Sequence, residues 1–400
     1  MRVVFNVMEL HGPRTGVAHY TEQLVAALRR VSAADRFDTL PGPVMRPIRE
    51  YWYRRAAAKA KASPPAPPAP EPGPAPRPGL LGCVRGWRQR ALLKLRGWYV
   101  PYKLWAGGYD LYHEPNGIPR PWDVPTITTV HDLSAILHPD WHPPERAAHY
   151  ERRFHEGLAR STHVVTGAES VRRELAALGL DPARVTVVPH GVRPGLRPVP
   201  PAERAPALRA LGLPSSYLLS VGTLEPRKNL RMLMRAYCAL PAALRQKCPL
   251  VLAGGWGWRT EALAAFYHTT ARDRGVRHVG YLPERHLAAV YSGARALAFP
   301  SLYEGFGLPP LEMLACGGAV LASAIGPHQE AVGGVAHLLE AADEAGWRDA
   351  LARAIDDDDW LDSLRAGATR HARAFTWERT ASKLLEVYRS LTARPQRRAA

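Results

Sequence analysis

Two neighbouring cations, Arg227 and Lys228, follow an apolar segment at 217–222 that is predicted to be a strand. A helical pattern begins just after them, at Leu230. Cations at the carboxyl end of a strand, beside the free N–H groups of a helix N-terminus, form an anion site. A diphosphate suits such a site, and a solvated basic turn is the alternative for the same pair of residues.

Two glutamates, Glu304 and Glu312, lie in a second segment that follows a predicted strand and opens a helix. Gly305 and Gly307 lie between them and let backbone N–H groups approach a ligand that a Cβ would block. Two carboxylates placed in this way can each bind a pair of hydroxyls, as on a ribose and a hexose. The alternatives are a favourable charge at a helix N-terminus for Glu312 and a tight turn for the glycines.

Short apolar segments alternate with helical patterns along most of the chain. The predicted strands are 3–8, 110–112, 126–130, 162–166, 185–189, 217–222, 250–253, 276–280, 296–299 and 319–322. This alternation favours parallel α/β sheets, and the Pro- and Arg-rich segment 189–206 interrupts it as a domain junction would. We therefore predict an α/β protein with two doubly wound domains that face each other across a cleft.

The predicted organisation has three parts. Residues 1–190 form the first domain, with a basic, Pro-rich insert at about 41–100, and residues 207–375 form the second. Residues 376–400 form a C-terminal helix, which packs back towards the first domain, and a basic tail. A chain of 400 residues suits two domains, because single hydrophobic cores stop growing at about 300 residues.

The combined motifs resemble those of the retaining, nucleotide-sugar-dependent glycosyltransferases of family four, which have the GT-B fold of two Rossmann-like domains. The resemblance covers most of the chain and rests on G-T-x-x-x-R-K-N at 222–229 and E-x7-E at 304–312. Further matching motifs are G-V-A-H-Y at 16–20, H-E-P-N at 113–116, T-V-H-D-L at 129–133, V-P-H-G-V at 188–192 and F-T-W-E-R-T at 375–380. The chain departs from the family at His19, where an arginine is common, and at Arg193, where an aspartate is common.

The resemblance implies a role for each of these residues. The second domain would bind the donor and the first the acceptor. Arg227 and Lys228 would hold the donor diphosphate, Glu304 the hexose and Glu312 the ribose hydroxyls. His131 would lie beside the anomeric centre and complete the catalytic set. The full donor-binding set would be Gly16, Gly222, Thr223, Arg227, Lys228, Glu304, Gly305, Phe306, Gly307, Leu308 and Glu312.

The implied reaction retains the configuration of the transferred sugar, and a phosphate oxygen of the donor helps to take the proton of the acceptor. No enzyme nucleophile is then needed, which fits the absence of a convincing Ser-His-Asp arrangement. We expect neither a metal nor another cofactor. The D-x-D pattern within 356–359 lies between helical patterns rather than after a strand, so it is interpreted as a solvated acidic turn.

Most of the net charge of +17 lies in one region. Residues 49–103 contain twelve basic and two acidic residues, and nine of the sixteen residues at 64–79 are proline. The insert therefore suggests a peripheral contact with an anionic membrane, where lipid-linked acceptors lie. Nucleic acid is the alternative of a different class, because aromatic residues alternate with arginine there, but no nucleic-acid motif is present and we predict no such partner.

The donor is predicted to be GDP-mannose, because the motifs look most like those of bacterial mannosyl- and rhamnosyltransferases of polysaccharide assembly. UDP-glucose, UDP-N-acetylglucosamine and dTDP-rhamnose are the alternatives. The acceptor is a hydroxyl of a saccharide or of a lipid-linked molecule. Four unpatterned cysteines, no signal peptide and no long apolar run predict a cytoplasmic protein.

Overall fold

The computed structural model describes residues 1–7, 16–40, 106–119 and 122–393. The insert predicted at about 41–100 and the last residues of the chain, 394–400, lie outside the described residues. The strands are β1 Arg2–Asn6, β2 Arg36–Leu40, β3 Leu111–Glu114, β4 Thr126–Val130, β5 His163–Thr166, β6 Val185–Val187, β7 Leu218–Val221, β8 Leu250–Ala253, β9 Val276–Gly280, β10 Ala296–Phe299, β11 Ala319–Ser323 and β12 His337–Leu339.

Within the described residues, the strands form two six-stranded sheets whose pairs are all parallel. The first has the order β2-β1-β3-β4-β5-β6 and the second β12-β11-β10-β7-β8-β9. In each sheet the order reverses beside the first strand, between β1 and β3 and between β7 and β10. Ligands bind open α/β sheets at the carboxyl ends of the strands at such switch points. The predicted fold class, with two doubly wound domains, is confirmed.

Helices cover both sheets. The α-helices are Gly16–Val31, Ser134–Leu137, Pro144–Arg160, Glu169–Ala177, Pro201–Ala210, Leu230–Cys238, Ala242–Lys247, Glu261–Phe266, Leu287–Gly293, Leu308–Ala315, Gly326–Val332, Glu344–Asp356, Asp358–Arg365, Ala368–Ala372 and Trp377–Thr392. In the parts of the chain that the structure describes, no helix combines the length and the apolar character needed to cross a bilayer.

The two domains share a continuous hydrophobic core. Buried residues of one cluster come from the first domain, such as Val130 and Phe154, and from the second, such as Phe299 and Phe306. The central strand β4 is buried along its whole length, which explains its run of Thr, Ile and Val residues.

The last helix, Trp377–Thr392, returns to the first domain and packs against the helix Gly16–Val31. The hydroxyl of Tyr388 lies 2.5 Å from Nδ1 of the buried His113, and Thr380 donates a hydrogen bond to the carbonyl of Pro189 at 2.7 Å. The chain therefore passes from the first domain to the second at the junction and returns to the first domain with its last helix.

Three features differ from the sequence-based expectations. The strands β2 and β12 were not predicted, because both lie at sheet edges and are less apolar than the central strands. The predicted boundary at 207 falls inside the helix Pro201–Ala210, which packs against the helix Leu287–Gly293 of the second domain. The helix continues through Pro206, a residue that usually interrupts helices, and its Leu208 is buried.

Candidate active site

Arg227, Lys228 and Glu304 meet at the switch point of the second sheet. The two cations end the loop after β7, and Glu304 lies in the loop after the neighbouring strand β10. Nη1 of Arg227 lies 2.8 Å from Oε2 of Glu304, and Nζ of Lys228 forms an ion pair with Oε1. Nε of Arg227 also lies 2.7 Å from Oε1 of Glu225. The structure thus brings together three of the four predicted catalytic residues.

This cluster is buried, and the charges of its members determine the protonation states of Glu304 and Lys228. Burial alone would raise the pKa of Glu304, but the charges of Arg227 and Lys228 outweigh burial and lower this pKa to about 2. Burial lowers the pKa of Lys228, against the opposing effect of Glu304. Glu304 is therefore an ionised acceptor in a site of low dielectric, where hydrogen bonds from ligand hydroxyls are strong.

The local backbone explains how the two loops are held. Asn229 adopts a left-handed conformation with φ of 53°, which ends the turn at Lys228 and begins the helix Leu230–Cys238. The side-chain amide of Asn229 donates to the carbonyl of Ala341 at 2.7 Å, and the backbone N–H of Leu302 donates to the carbonyl of Arg227 at 2.8 Å. The second hydrogen bond joins the turn that carries the cations directly to the loop that carries Glu304.

The remaining donor-site residues of the second domain line the same edge. Gly222, Thr223 and Lys228 line a small cavity of about 10 Å³, which is large enough for one water molecule. Gly307 has φ of 104° and precedes the helix that begins at Leu308, a conformation that favours glycine. Phe306 is buried and packs against the ring of His190, with ring centroids 4.9 Å apart. By contrast, Gly16 begins the first helix beside residues outside the described ranges.

Glu312 is held by a different set of partners from Glu304. Its Oε1 lies 3.1 Å from Nε of Arg193, and its Oε2 accepts a hydrogen bond from Tyr291 at 2.7 Å. Nη1 of Arg193 also lies 3.1 Å from Nδ1 of His19. Because a guanidinium can only donate, Nδ1 of His19 is the acceptor. The two departures from the family pattern, at 19 and 193, therefore contact each other, although one lies in the first helix and the other in the junction between the domains.

His131 is hydrogen-bonded within the first domain. Its Nε2 lies 2.9 Å from the carbonyl oxygen of Pro115, and its Nδ1 lies 3.4 Å from Nε2 of His190. A carbonyl only accepts, so Nε2 of His131 carries the proton. Burial lowers the pKa of His131, which favours the neutral ring. The carbonyl oxygen of His131 faces the other domain, where a Cβ on Gly305 would lie only 1.7 Å from it.

Sequence reasoning missed the contacts that close the cleft around this point. The hydroxyl of Tyr303 donates to Oε2 of Glu174 at 2.6 Å and accepts from the backbone N–H of Leu133 at 3.0 Å. The charge of Arg227 helps to lower the pKa of Asp132 across the cleft, against burial, which raises it. Tyr303 immediately precedes Glu304, and that position was the only signal in the sequence that it could reach the site.

Two more contacts join the domains away from the charged cluster. Both carboxylate oxygens of Glu330 accept from the first backbone N–H groups of the helix Glu169–Ala177, at 2.5 and 2.8 Å. The indole of Trp258 donates to the carbonyl of Trp141 at 2.8 Å. No local pattern predicts such pairs, because they depend on how two separate domains approach each other.

The comparisons with known proteins agree with this architecture. The family described as Glycosyltransferase Family 4 matches residues 15–196, and the family described as Glycosyl transferases group 1 matches residues 209–373. The chain is 33% identical to the O-antigen chain mannosyltransferase B of Escherichia coli, over 70% of this chain and 74% of that protein. It is also 33% identical to the D-inositol 3-phosphate glycosyltransferase of Thermobispora bispora, over 69% of this chain and 67% of that protein.

Solved structures show the same fold at lower identity. HepE of Anabaena, in complex with UDP and glucose, is similar with a TM-score of 0.67 at 15% identity, covering 98% of this chain and 100% of that one. Sucrose-phosphate synthase of Thermosynechococcus elongatus has a TM-score of 0.65 at 21% identity, covering 98% of this chain and 99% of that one. With both halves matched and a relative aligned over most of its length, the chain belongs to the family four glycosyltransferases and has the GT-B fold.

Proposed function

We propose that this glycosyltransferase moves a hexose, with retention of configuration, from a nucleotide sugar to a hydroxyl of a saccharide or lipid-linked acceptor. The setting would be bacterial polysaccharide or glycolipid assembly. The observation that carries the proposal is the buried cluster of Arg227, Lys228 and Glu304 at the switch point. It combines two cations suited to a diphosphate with an ionised carboxylate suited to sugar hydroxyls.

In this proposal the enzyme acts mainly through fixed charges. As the bond from the sugar to the diphosphate breaks, negative charge develops on the leaving group, and Arg227 and Lys228 stabilise it. The acceptor hydroxyl attacks from the face that the nucleotide leaves, and a donor phosphate oxygen takes its proton. The ring of His131 already donates from Nε2 to Pro115, so its proposed role is to shape the site beside the anomeric carbon rather than to transfer a proton. No metal or other cofactor is part of this proposal.

GDP-mannose is the proposed donor. The similarity to a protein named O-antigen chain mannosyltransferase B supports a mannosyl donor and a role in polysaccharide assembly. The chain is also similar to proteins named D-inositol 3-phosphate glycosyltransferases, a name that specifies no donor. UDP-N-acetylglucosamine, UDP-glucose and dTDP-rhamnose therefore stay as the alternative donors.

A donor screen tests this proposal. The purified protein is titrated with the four nucleotide sugars, and products are analysed by NMR with mannosyl and lipid-linked acceptors. We expect binding and turnover with GDP-mannose, an unchanged anomeric configuration, full activity in EDTA and no product with Glu304→Ala. Turnover with a UDP-sugar alone would contradict the donor, and an inverted product would contradict the mechanism.

We also propose peripheral contact with an anionic membrane, supported by the concentration of positive charge at 49–103. Co-sedimentation with vesicles containing phosphatidylglycerol is compared for the full chain and a version that lacks residues 49–96. We expect the deletion to remove most of the binding, and the remainder to weaken with salt. Equal binding by both proteins would contradict this contact, and binding of the full chain to RNA at the same salt concentration would instead favour nucleic acid.

A further inference from the structure

His328 is a buried histidine with an unused hydrogen-bond acceptor. It lies on the helix Gly326–Val332 and is 0% exposed. Its Nδ1 lies 2.9 Å from the carbonyl oxygen of Ser323. A carbonyl only accepts, so Nδ1 carries the proton, and Nε2 of the neutral ring is an acceptor. Among the described residues, no group donates a hydrogen bond to this Nε2.

The unpartnered edge of the ring faces the loop that is proposed to bind the hexose. A Cβ on Gly307 would lie 3.0 Å from Cδ2 of His328 and 3.5 Å from Nε2, so this edge of the ring lies next to Gly307. The ring also packs near Phe299, with centroids 5.3 Å apart, and Nζ of Lys228 lies 4.7 Å from the centroid of the same phenylalanine. His328 is therefore part of the wall around the charged cluster.

The charges around His328 indicate which kind of ligand group can reach it. Burial lowers its pKa, Glu304 acts in the opposite direction and Lys228 acts with burial, so the ring stays neutral at physiological pH. A neutral Nε2 repels a phosphate oxygen, because both are acceptors. It pairs with a hydroxyl, which can donate. Since Glu312 and its partners lie elsewhere as the proposed ribose site, the hydroxyl belongs to the transferred sugar.

We infer that His328 is a specificity-determining residue for the donor sugar, and that its Nε2 accepts a hydrogen bond from one hydroxyl of the hexose. This inference rests on the proposed function, because it takes the loop at 304–308 to be the hexose site. A site that is built to bond a hydroxyl discriminates strongly against a sugar that lacks it, since the buried partner is then left unpaired. His328 would thus contribute to the choice among hexoses.

The test combines two substitutions with a series of donors. His328→Leu removes the acceptor, and His328→Gln keeps a polar group that can partly replace it. Each protein is assayed for kcat and KM with GDP-mannose and with its 2-, 3-, 4- and 6-deoxy analogues. If the screen identifies another hexose as the donor, the corresponding series is used. His371→Leu is the matched control, because His371 bonds the carbonyl of Ala331 outside the site.

For the wild type, we expect kcat/KM to be about tenfold or more lower with one deoxy analogue than with the complete sugar. With the complete sugar, His328→Leu should lower kcat/KM by a similar factor. With that analogue, the substitution should lower kcat/KM hardly any further. The affinity of the variant for GDP should stay within about twofold of the wild-type affinity. Glutamine should restore part of the loss, and the control should behave like the wild type. Should His328→Leu fail to fold, the same comparison is made with His328→Gln.

The inference is overturned if, for every deoxy analogue, the loss of kcat/KM caused by His328→Leu simply adds to the loss caused by the missing hydroxyl. The side chain and the hydroxyl then do not interact. It is also overturned if GDP affinity falls as much as turnover does, since that indicates a structural role. Absence of turnover with every nucleotide sugar in the wild type contradicts the proposed function itself, and the two failures are therefore distinguishable.

Discussion

Lys228→Ala should lower kcat/KM for sugar transfer by about 100-fold or more, while the protein stays folded. Lys228 is 8% exposed, and its ammonium forms an ion pair with Glu304. In the proposed reaction it also faces the charge that develops on the diphosphate. Loss of one preorganised group of this kind typically costs 100- to 1000-fold in rate, or about 3 to 4 kcal/mol.

Two further variants separate charge from packing. The lysine side chain lies over Phe299, so Lys228→Ala removes contacts as well as the charge. Lys228→Met keeps most of the stem and removes only the charge, and we expect it to be as inactive as the alanine variant. Lys247→Ala, which removes an exposed lysine paired with Asp356, is the control and should keep full activity.

The measurements are steady-state kinetics, GDP titration and thermal unfolding. Glu304 keeps its ion pair with Arg227 in both variants, so the buried carboxylate is not left without a counter-charge. Full activity of Lys228→Met would exclude the ammonium from catalysis, and activity lost only in Lys228→Ala would assign the residue a packing role.

The sequence was a good guide to residues that follow strands. The sequence placed Arg227 and Lys228 after one predicted strand and Glu304 after another, and the carboxyl ends of parallel strands meet at one edge of a sheet. Their pairing depends in addition on the adjacency of β7 and β10, which the structure shows and the sequence did not predict. The edge strands β2 and β12 were missed because their residues are partly exposed and lack a clear apolar pattern.

The sequence was a poor guide to contacts between the domains. The motif at 129–133 indicated that His131 was important, but not that its ring would bond Pro115 and His190 while its carbonyl faces Gly305. The pairing of His19 with Arg193 was equally hidden, because the two residues are far apart in the chain and Arg193 lies in the junction between the domains. Such contacts depend on how the two domains approach each other, which no local sequence pattern specifies.

Gly305→Ala should reduce transfer by about 100-fold or more with only a small effect on GDP affinity. The new Cβ would lie 1.7 Å from the carbonyl oxygen of His131 and 3.0 Å from Cβ of Asp132. Gly305 is not among the glycines with positive φ, so its own backbone accepts alanine without strain. The obstacle is the opposite domain, and a backbone carbonyl cannot move aside as a flexible side chain can.

The simplest relief of this clash is a wider cleft. A shift of a few ångströms would weaken the hydrogen bonds of Tyr303 to Glu174 and Leu133, which lie beside the same loop. Misplacement of reacting groups by about 1 Å can cost 100-fold in rate, whereas nucleotide contacts within the second domain would remain. We therefore expect kcat to fall much more than GDP affinity, and small-angle X-ray scattering to show a larger radius of gyration.

Gly255→Ala is the matched control for this experiment. No heavy atom lies within 4 Å of a Cβ built on Gly255, and Gly255 also lacks a positive φ. It should keep the activity, radius and melting temperature of the wild type. If Gly305→Ala is fully active, close approach of His131 to the Glu304 loop is not required for transfer. If it instead loses GDP binding and unfolds at a lower temperature, the glycine is needed for the second domain itself, and the closed cleft is not the reason why this position lacks a side chain.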